Sequence, residues 1–258
     1  MAIPSVHEHD RGAAPVVARS YDHLPGEGER HRHPTAQLLY AVEGVMVVTT
    51  GQGRWIVPPT RGLWLPIGTW HQVRMVGHVR TRTVYVREDA LDGLPGECRV
   101  LGIPPLLREL ILGAMAVPVH YAPGSRDDLL MRLLLAEIRT LPALALSLPQ
   151  PVSTSLRTVC DALLAQPADS RSVDAWAVTV AADPRTLQRR FLRETGLTLG
   201  QWRRQARLLA ALERLADGER VLDVALDLGY ASPNAFATMF KRELGVPPSL
   251  FFANRDAA

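Results

Sequence analysis

The feature that most constrains this chain is a pattern that occurs twice between Val173 and Leu244. In its first occurrence Val173, Trp176, Ala177 and Val180 recur at i, i+3, i+4 and i+7, the stripe of a helix with one buried face. The tight Ala181-Ala182-Asp183 connection follows. Asp183 and Pro184 then supply an N-cap and first-turn residue for a second helix, which Gly196 stops. In the second occurrence Val221, Val224, Ala225 and Leu228 repeat the stripe and Gly229 ends it. Ser232-Pro233 open a further helix that turns Phe236, Phe240 and Leu244 inward. Two short helices joined in this way read as a helix-turn-helix whose second helix is aimed outward.

Between the two units Thr198 to Ala216 can form a single helix, about 28 Å long at the usual rise per residue. That approaches the roughly 34 Å between successive major-groove segments on one face of a DNA duplex. The outward face of the first recognition helix carries Arg185, Gln188 and Arg189, with Arg193 one turn on. The second carries Asn234, Ala235, Thr238 and Lys241. Arginine suits guanine, and the amides suit adenine. The formal charge is only +3, but basic residues crowd locally, at positions 185, 189, 190, 193, 203, 204 and 207 against Glu194 alone. A solvated helix surface can look the same. The two cap-and-stripe units around this strip favour double-stranded DNA as the partner.

The N-terminal half has a different texture. Residues 1–20 lack periodicity and are expected to form a loose arm. From Gly26 to Val86 short apolar runs (Leu38–Val42, Val45–Thr49, Val84–Val86) alternate with glycine and proline, Gly51-Gln52-Gly53 reads as a hairpin turn, and Pro58-Pro59 precede Gly62–Leu65. Many short strands with such turns predict a sandwich or small barrel. Within it His31, His33 and Gln37 share strand parity, and His71 follows Pro66-Ile67-Gly68-Thr69-Trp70. Two imidazoles from one segment and a third from a neighbouring strand form a sound geometry for a divalent metal. The same histidines can equally line a pocket or satisfy turn hydrogen bonds. From Ile103 to Leu148 the pattern is helical: Pro104-Pro105 open one segment and Ser125 caps another. Leu129, Met131 and Leu135 widen the apolar surface of that second helix beyond one packing face, which points to a homodimer; the alternative is that both helices cap the open end of the β-domain. Pro142 and Leu148–Pro151 read as a stiff linker.

The stretch from about 153 to 254 resembles the DNA-binding domain of AraC/XylS-type transcription regulators. The residues that carry the resemblance are Leu187–Phe191, Glu194-Thr195-Gly196, Ala225–Tyr230, Ser232-Pro233, Phe236, Phe240-Lys241 and Gly245–Pro248. Asp183 stands where that family often has serine, and either caps a helix. The N-terminal motifs, with Gly44 after the first, resemble those of cupins, although Gln37 stands where the metal-binding pattern usually has glutamate. The resemblance implies a cupin-like β-barrel over 1–98, a helical linker and dimerisation region over 99–150, and an all-α domain with two helix-turn-helix units over 151–258. It also implies a small-molecule effector, for which Tyr40, Trp55, Trp64 and Trp70 are candidate pocket walls, and makes RNA polymerase a candidate partner. The function it implies is a non-enzymatic, effector-controlled transcription regulator; the alternative is a cupin metalloenzyme fused to a DNA-binding module. No apolar run approaches the ~20 residues that span a bilayer, and no secretory hydrophobic region is evident. Cys98 and Cys160 form neither a disulfide framework nor a metal motif. The chain therefore reads as cytoplasmic.

Overall fold

The computed structural model describes residues 14–144 and 146–251. Its contacts divide the chain into two units, residues 1–51 with 55–146 and residues 52–54 with 147–258. The strands are β1 (Val16–His23), β2 (Gly26–Glu27), β3 (Ala36–Thr50), β4 (Gly53–Val57), β5 (Arg61–Leu65), β6 (His71–Val86), β7 (Arg99–Gly102), β8 (Ala143–Leu144) and β9 (Ser147–Pro149). The helices are α1 (Pro105–Ala114), α2 (Arg126–Thr140), α3 (Thr154–Ala165), α4 (Val173–Thr179), α5 (Pro184–Thr195), α6 (Leu199–Ala216), α7 (Val221–Asp227), α8 (Pro233–Leu244) and α9 (Pro248–Phe251).

In the first unit the strands run in the order β1-β6-β3-β5-β7-β8, with β2 added to β6. The spine is the antiparallel pair β3 and β6. The two apolar runs expected as separate strands are the two halves of β3, joined through a bulge. The register runs from Ala36↔Val86 to Ala41↔Thr81, shifts around Glu43, and resumes from Val45↔Val76 to Thr50↔His71. Gly44 makes the bulge possible, since its φ is +74° and a Cβ there would sit 2.3 Å from the His78 carbonyl oxygen. The expected loose arm is corrected as well. From Val16 onward the chain is β1, paired along β6 from Val16↔Val86 to His23↔Val79, and residues 1–13 lie outside the described residues. The proline-flanked linker also contains strands, because proline interrupts a helix interior but leaves neighbouring extended backbone free to pair. Val100 and Leu101 of β7 pair with Leu144 and Ala143.

The sheet separates two environments by strand parity. Ala36, Leu38 and Tyr40 of β3, Val84 and Val86 of β6, Val16 and Ala18 of β1 and Trp64 of β5 meet Leu107, Ile111 and Ala114 of α1 and Met131, Leu134, Leu135 and Ile138 of α2 in one core. The opposite parity lines a cavity.

In the second unit, Asp183 and Ser232 cap as the sequence predicts, and Thr198 adds a cap that the sequence reading did not mark. Side chains of Asp183, Thr198 and Ser232 accept from Thr186, Gln201 and Ala235 backbone N–H groups. Thr198 and Gln201 complete a reciprocal capping box on α6. Phe191 packs edge-on to Trp202, ring centres 6.3 Å apart, which docks α5 on α6. Ser153, the N-cap residue of α3, makes no side-chain cap bond. Glu194 of α5 instead ties down the chain entering α3: its Oε2 accepts from the Val152 and Ser153 N–H groups at 3.0 and 2.9 Å. These backbone bonds, with Ser153 foremost, lower the Glu194 pKa below the usual carboxylate range. A lowered folded pKa means stabilisation present above the unfolded pKa and lost as pH falls through the folded one. Glu194→Gln is therefore expected to cost about 1 kcal/mol near neutrality, the scale of a lost cap. In urea melts at stepped pH the gap between wild type and variant should close as acid protonates Glu194. A gap independent of pH would remove the charge from this account.

Candidate functional site

In the helical unit, α5 and α8 are the outward members of two helix-turn-helix pairs. Leu187 and Phe191 anchor the first to its core, and Phe236, Met239 and Phe240 anchor the second. Helical geometry then leaves Arg185, Gln188, Arg189 and Arg193 exposed on α5, and Asn234, Ala235, Thr238 and Lys241 exposed on α8. Most arginines of the unit are committed elsewhere: Arg171 to Asp169, Arg214 to Glu219 and Asp227, Arg220 to Asp223, Arg242 to Glu243. In contrast Arg185, Gln188, Arg189, Arg193 and Lys241 make no side-chain hydrogen bond or ion pair among the described residues. The basic strip anticipated from residues 185–207 is thus shorter than the sequence implied. Arg203 donates to the Arg171 carbonyl at 2.7 Å, and Arg207 donates to the Pro167 carbonyl at 2.7 Å, so both hold the segment before α4. On α8 the Thr238 hydroxyl donates back to the Asn234 carbonyl at 2.9 Å. The turn before α5 carries Ala181 at φ +50°, a left-handed conformation that a non-glycine residue adopts at some cost.

In the sheet-rich unit, a cavity of about 60 Å³ opens on the face of the sheet away from α1 and α2. Its polar end is His31, His33, His71 and Gln37. The three imidazoles offer ligand atoms within 4.8 Å of one another, with ring centres 4.4 to 5.3 Å apart. Strand parity alone does not bring them together, because β3 begins only at Ala36, beyond Pro34. His31 instead exchanges backbone hydrogen bonds with His71 at 2.9 and 2.8 Å, and the His33 carbonyl accepts from Gly68 at 2.9 Å. That pairing lays the segment before β3 across the start of β6. Gln37 enters from β3, opposite Tyr85 and Leu65.

The chemistry of this cluster is unusually well defined. Nδ1 of His31 lies 2.8 Å from the Glu29 carbonyl, and Nδ1 of His71 lies 2.9 Å from the Thr69 carbonyl. A carbonyl only accepts, so both Nδ1 atoms carry the proton and both Nε2 atoms present lone pairs. Backbone carbonyls orienting the far nitrogen are the usual outer shell of a metal-binding imidazole. His71 Nε2 and Gln37 Oε1 are buried without a hydrogen-bond partner, an arrangement that is costly unless something fills the space between them. Burial holds the His71 pKa down at about 4, so its ring is neutral.

Away from the histidines the cavity is lined by Leu39, Met46, Val73, Met75, Thr81, Thr83 and Tyr85, with Tyr21 and His23. The four aromatics expected as pocket walls are not among the lining residues. Tyr40 and Trp64 sit in the core against the helices, Trp64 donating to the Pro95 carbonyl at 2.7 Å. Trp55 is buried elsewhere, and Trp70 is 44% exposed beneath the guanidinium groups of Arg30 and Arg32. The reason is parity. Tyr40 is an odd number of residues from Gln37, whereas Leu39 is two away, and Val73 and Met75 alternate correctly from His71. Counting by twos from the polar residues would have found the lining that selection by aromatic character missed. Met46 escapes even that count, because the bulge at Gly44 exchanges the two faces of β3.

Two helix-turn-helix units following a sheet-rich domain with a small cavity, apolar but for a histidine-lined end, define a ligand-responsive DNA-binding regulator. Residues 14–175 match the AraC-like ligand binding domain, and residues 176–254 match a helix-turn-helix domain. The chain is 33% identical over 223 residues to the HTH-type transcriptional regulator NimR of Escherichia coli, covering 86% of this chain and 81% of that one. It is 34% identical over 103 residues to RipA of Corynebacterium glutamicum, covering 40% of this chain and 31% of that one. Among solved structures it is similar to ToxT from Vibrio cholerae, with TM-score 0.41 and 9% identity over 95% of this chain and 99% of that one. The chain belongs to the AraC-type family of transcription regulators: a DNA-binding protein with an N-terminal ligand-binding domain. No helix among the described residues is long and apolar enough to cross a membrane.

Proposed function

We propose that this regulator senses its effector at a divalent metal ion held by His31, His33 and His71, with Gln37 as a further ligand, in a cupin-like domain spanning residues 1–98. The observation that carries this reading is the buried, partnerless pair His71 Nε2 and Gln37 Oε1 beside a second imidazole of matching tautomer. The donor set suits first-row ions that favour imidazole, such as zinc, iron, nickel or copper. Small side-chain movements suffice to bring nitrogens this close onto bonds of about 2.1 Å. The lining includes no carboxylate for acid–base catalysis among the described residues, which favours a sensor over a metalloenzyme. Chain stripped of metal, titrated with Co(II) and followed by its visible absorption, should take up a single ion. His31→Ala/His71→Ala should abolish uptake, and unchanged uptake would eliminate the site.

DNA is read by the domain spanning 151–258, in the cytoplasm, with RNA polymerase receiving the signal. Arg185, Gln188, Arg189 and Arg193 are free to contact DNA on α5, whereas α8 presents Asn234, Ala235 and a Thr238 hydroxyl that is already engaged, with Lys241 placed for phosphate. Sequence reading is therefore concentrated in α5. A good bidentate base contact is worth roughly 1–3 kcal/mol and acts at one position, whereas a phosphate contact acts on all sequences. Gln188→Ala and Arg189→Ala should each flatten preference at one or two operator base pairs, and Asn234→Ala should change it less. Fluorescence anisotropy across single-base operator variants at fixed salt measures this. Uniform weakening from Arg189→Ala beside a base-specific loss from Asn234→Ala would reverse the roles of the helices.

The region 99–150 carries the dimer contact. Leu129 and Leu133 of α2 stand one turn apart and are 57% and 46% exposed, and Leu106 of α1 is 52% exposed. Two copies covering this stripe would remove it from water. Light scattering should find wild type dimeric and Leu129→Glu/Leu133→Glu monomeric, the latter with weaker operator binding. A dimeric double variant would place the contact elsewhere.

A further inference from the structure

The cavity that supports the metal reading lacks one thing such a site ordinarily holds, a negative charge. Its lining contains four histidines, Gln37, two threonines, two tyrosines, and otherwise apolar side chains and a glycine, with no aspartate or glutamate among the described residues. The metal-suited cluster itself consists of histidines alone. A divalent ion bound by neutral imidazoles and a neutral amide keeps its full double charge. In a site where Gln37, His33 and His71 are no more than 4% exposed, water screens that charge poorly, and a buried charge of this kind requires a counter-charge. The Gln37 amide occupies the β3 position from which a carboxylate would have supplied one. The space left is also small. About 60 Å³ accommodates an ion and a ligand of a few atoms, well short of the roughly 300 Å³ at which organic-ligand pockets begin.

From these observations we infer that the effector is a small anion that binds as a ligand of the metal, and that Gln37, by being neutral, makes metal retention depend on that anion. The inference rests on the metal reading above. Its chemical class is a monoanion of a few atoms with an oxygen or nitrogen donor, such as a short carboxylate. The small volume of the cavity favours such an anion over a larger organic one. Anion and metal then enter as a pair. Three neutral imidazoles hold the cation, the anion neutralises part of its charge, and Thr83, on the cavity-facing side of β6, offers its hydroxyl to the anion's far side.

The test uses the full chain stripped of metal and titrated with Co(II), whose visible bands report the ligand set, first in a buffer of non-coordinating anions and then with azide, formate or benzoate. The expected result is that azide or formate tightens Co(II) binding by about tenfold or more, because the counter-charge is coupled to metal affinity, and shifts the visible bands. Benzoate should do neither. Gln37→Glu should bind Co(II) tightly with no added anion and should no longer respond to azide. Co(II) binding that is indifferent to azide and formate in wild type overturns the inference while leaving the metal site standing, the charge then coming from solvent. Absence of Co(II) binding in every buffer overturns both. An equal response to benzoate overturns the size limit, and a Gln37→Glu chain that still needs anion overturns the role given to Gln37. The wild-type titrations decide the matter on their own if the variant does not fold.

Discussion

The ladder between β3 and β6 is the constraint on which the sheet-rich unit depends. Each strand has two faces, and both faces are committed: one to the core with α1 and α2, the other to the cavity. A slip of one residue would exchange Leu38 and Tyr40 with Gln37 and Leu39 and so place an amide in the core and a tyrosine in the cavity. The long run of paired residues on both sides of the bulge makes such a slip costly. The bulge performs the exchange once, at a chosen point, so that Met46 rather than Val45 or Val47 faces the cavity beyond it. Gly44 is the residue that permits it, through a left-handed φ and the close approach of the His78 carbonyl.

The polar end of the cavity is built by backbone pairing rather than by a strand. Pro34 interrupts the chain between the histidines and β3, yet His31 and His71 hold each other through a reciprocal pair of backbone bonds. Those bonds set the positions of the rings, and carbonyls of Glu29 and Thr69, each two residues before its histidine, set their tautomers. The same local geometry thus positions and orients each imidazole.

In the helical unit the governing interactions are caps and a few aromatic contacts. Helices α4 and α7 span only seven residues each, too short to persist alone. They hold because their buried faces meet partners and their ends are satisfied. Glu194 shows how economical this is, because a side chain from α5 holds the entry to α3 while Arg193 beside it remains free. Arginines divide by the same logic. Those within reach of an acid or an exposed carbonyl are consumed in holding the unit together, and those on the outer face of α5 are left for a partner.

Signals local in sequence were legible without coordinates. The helix-turn-helix duplication, the caps at Asp183 and Ser232, and the spacer helix all follow from periodicity and capping chemistry within one or two turns of chain. The histidine cluster was legible as a set of residue types, and Gln37 with it. Three things needed the tertiary structure. Whether β3 is one strand or two depends on a partner that bonds across the bulge, and β1 becomes a strand only because β6 lies beside it. Which arginines are free depends on carbonyls some forty residues away, as at Arg207 and Pro167. Which residues line the cavity depends on parity counted along paired strands, and this is where choosing Tyr40 and Trp64 by their aromatic character went wrong. Local sequence specifies elements and their ends, because capping and periodicity act within a few residues. The identity of an inward face is a property of two strands in register, and no single segment carries it.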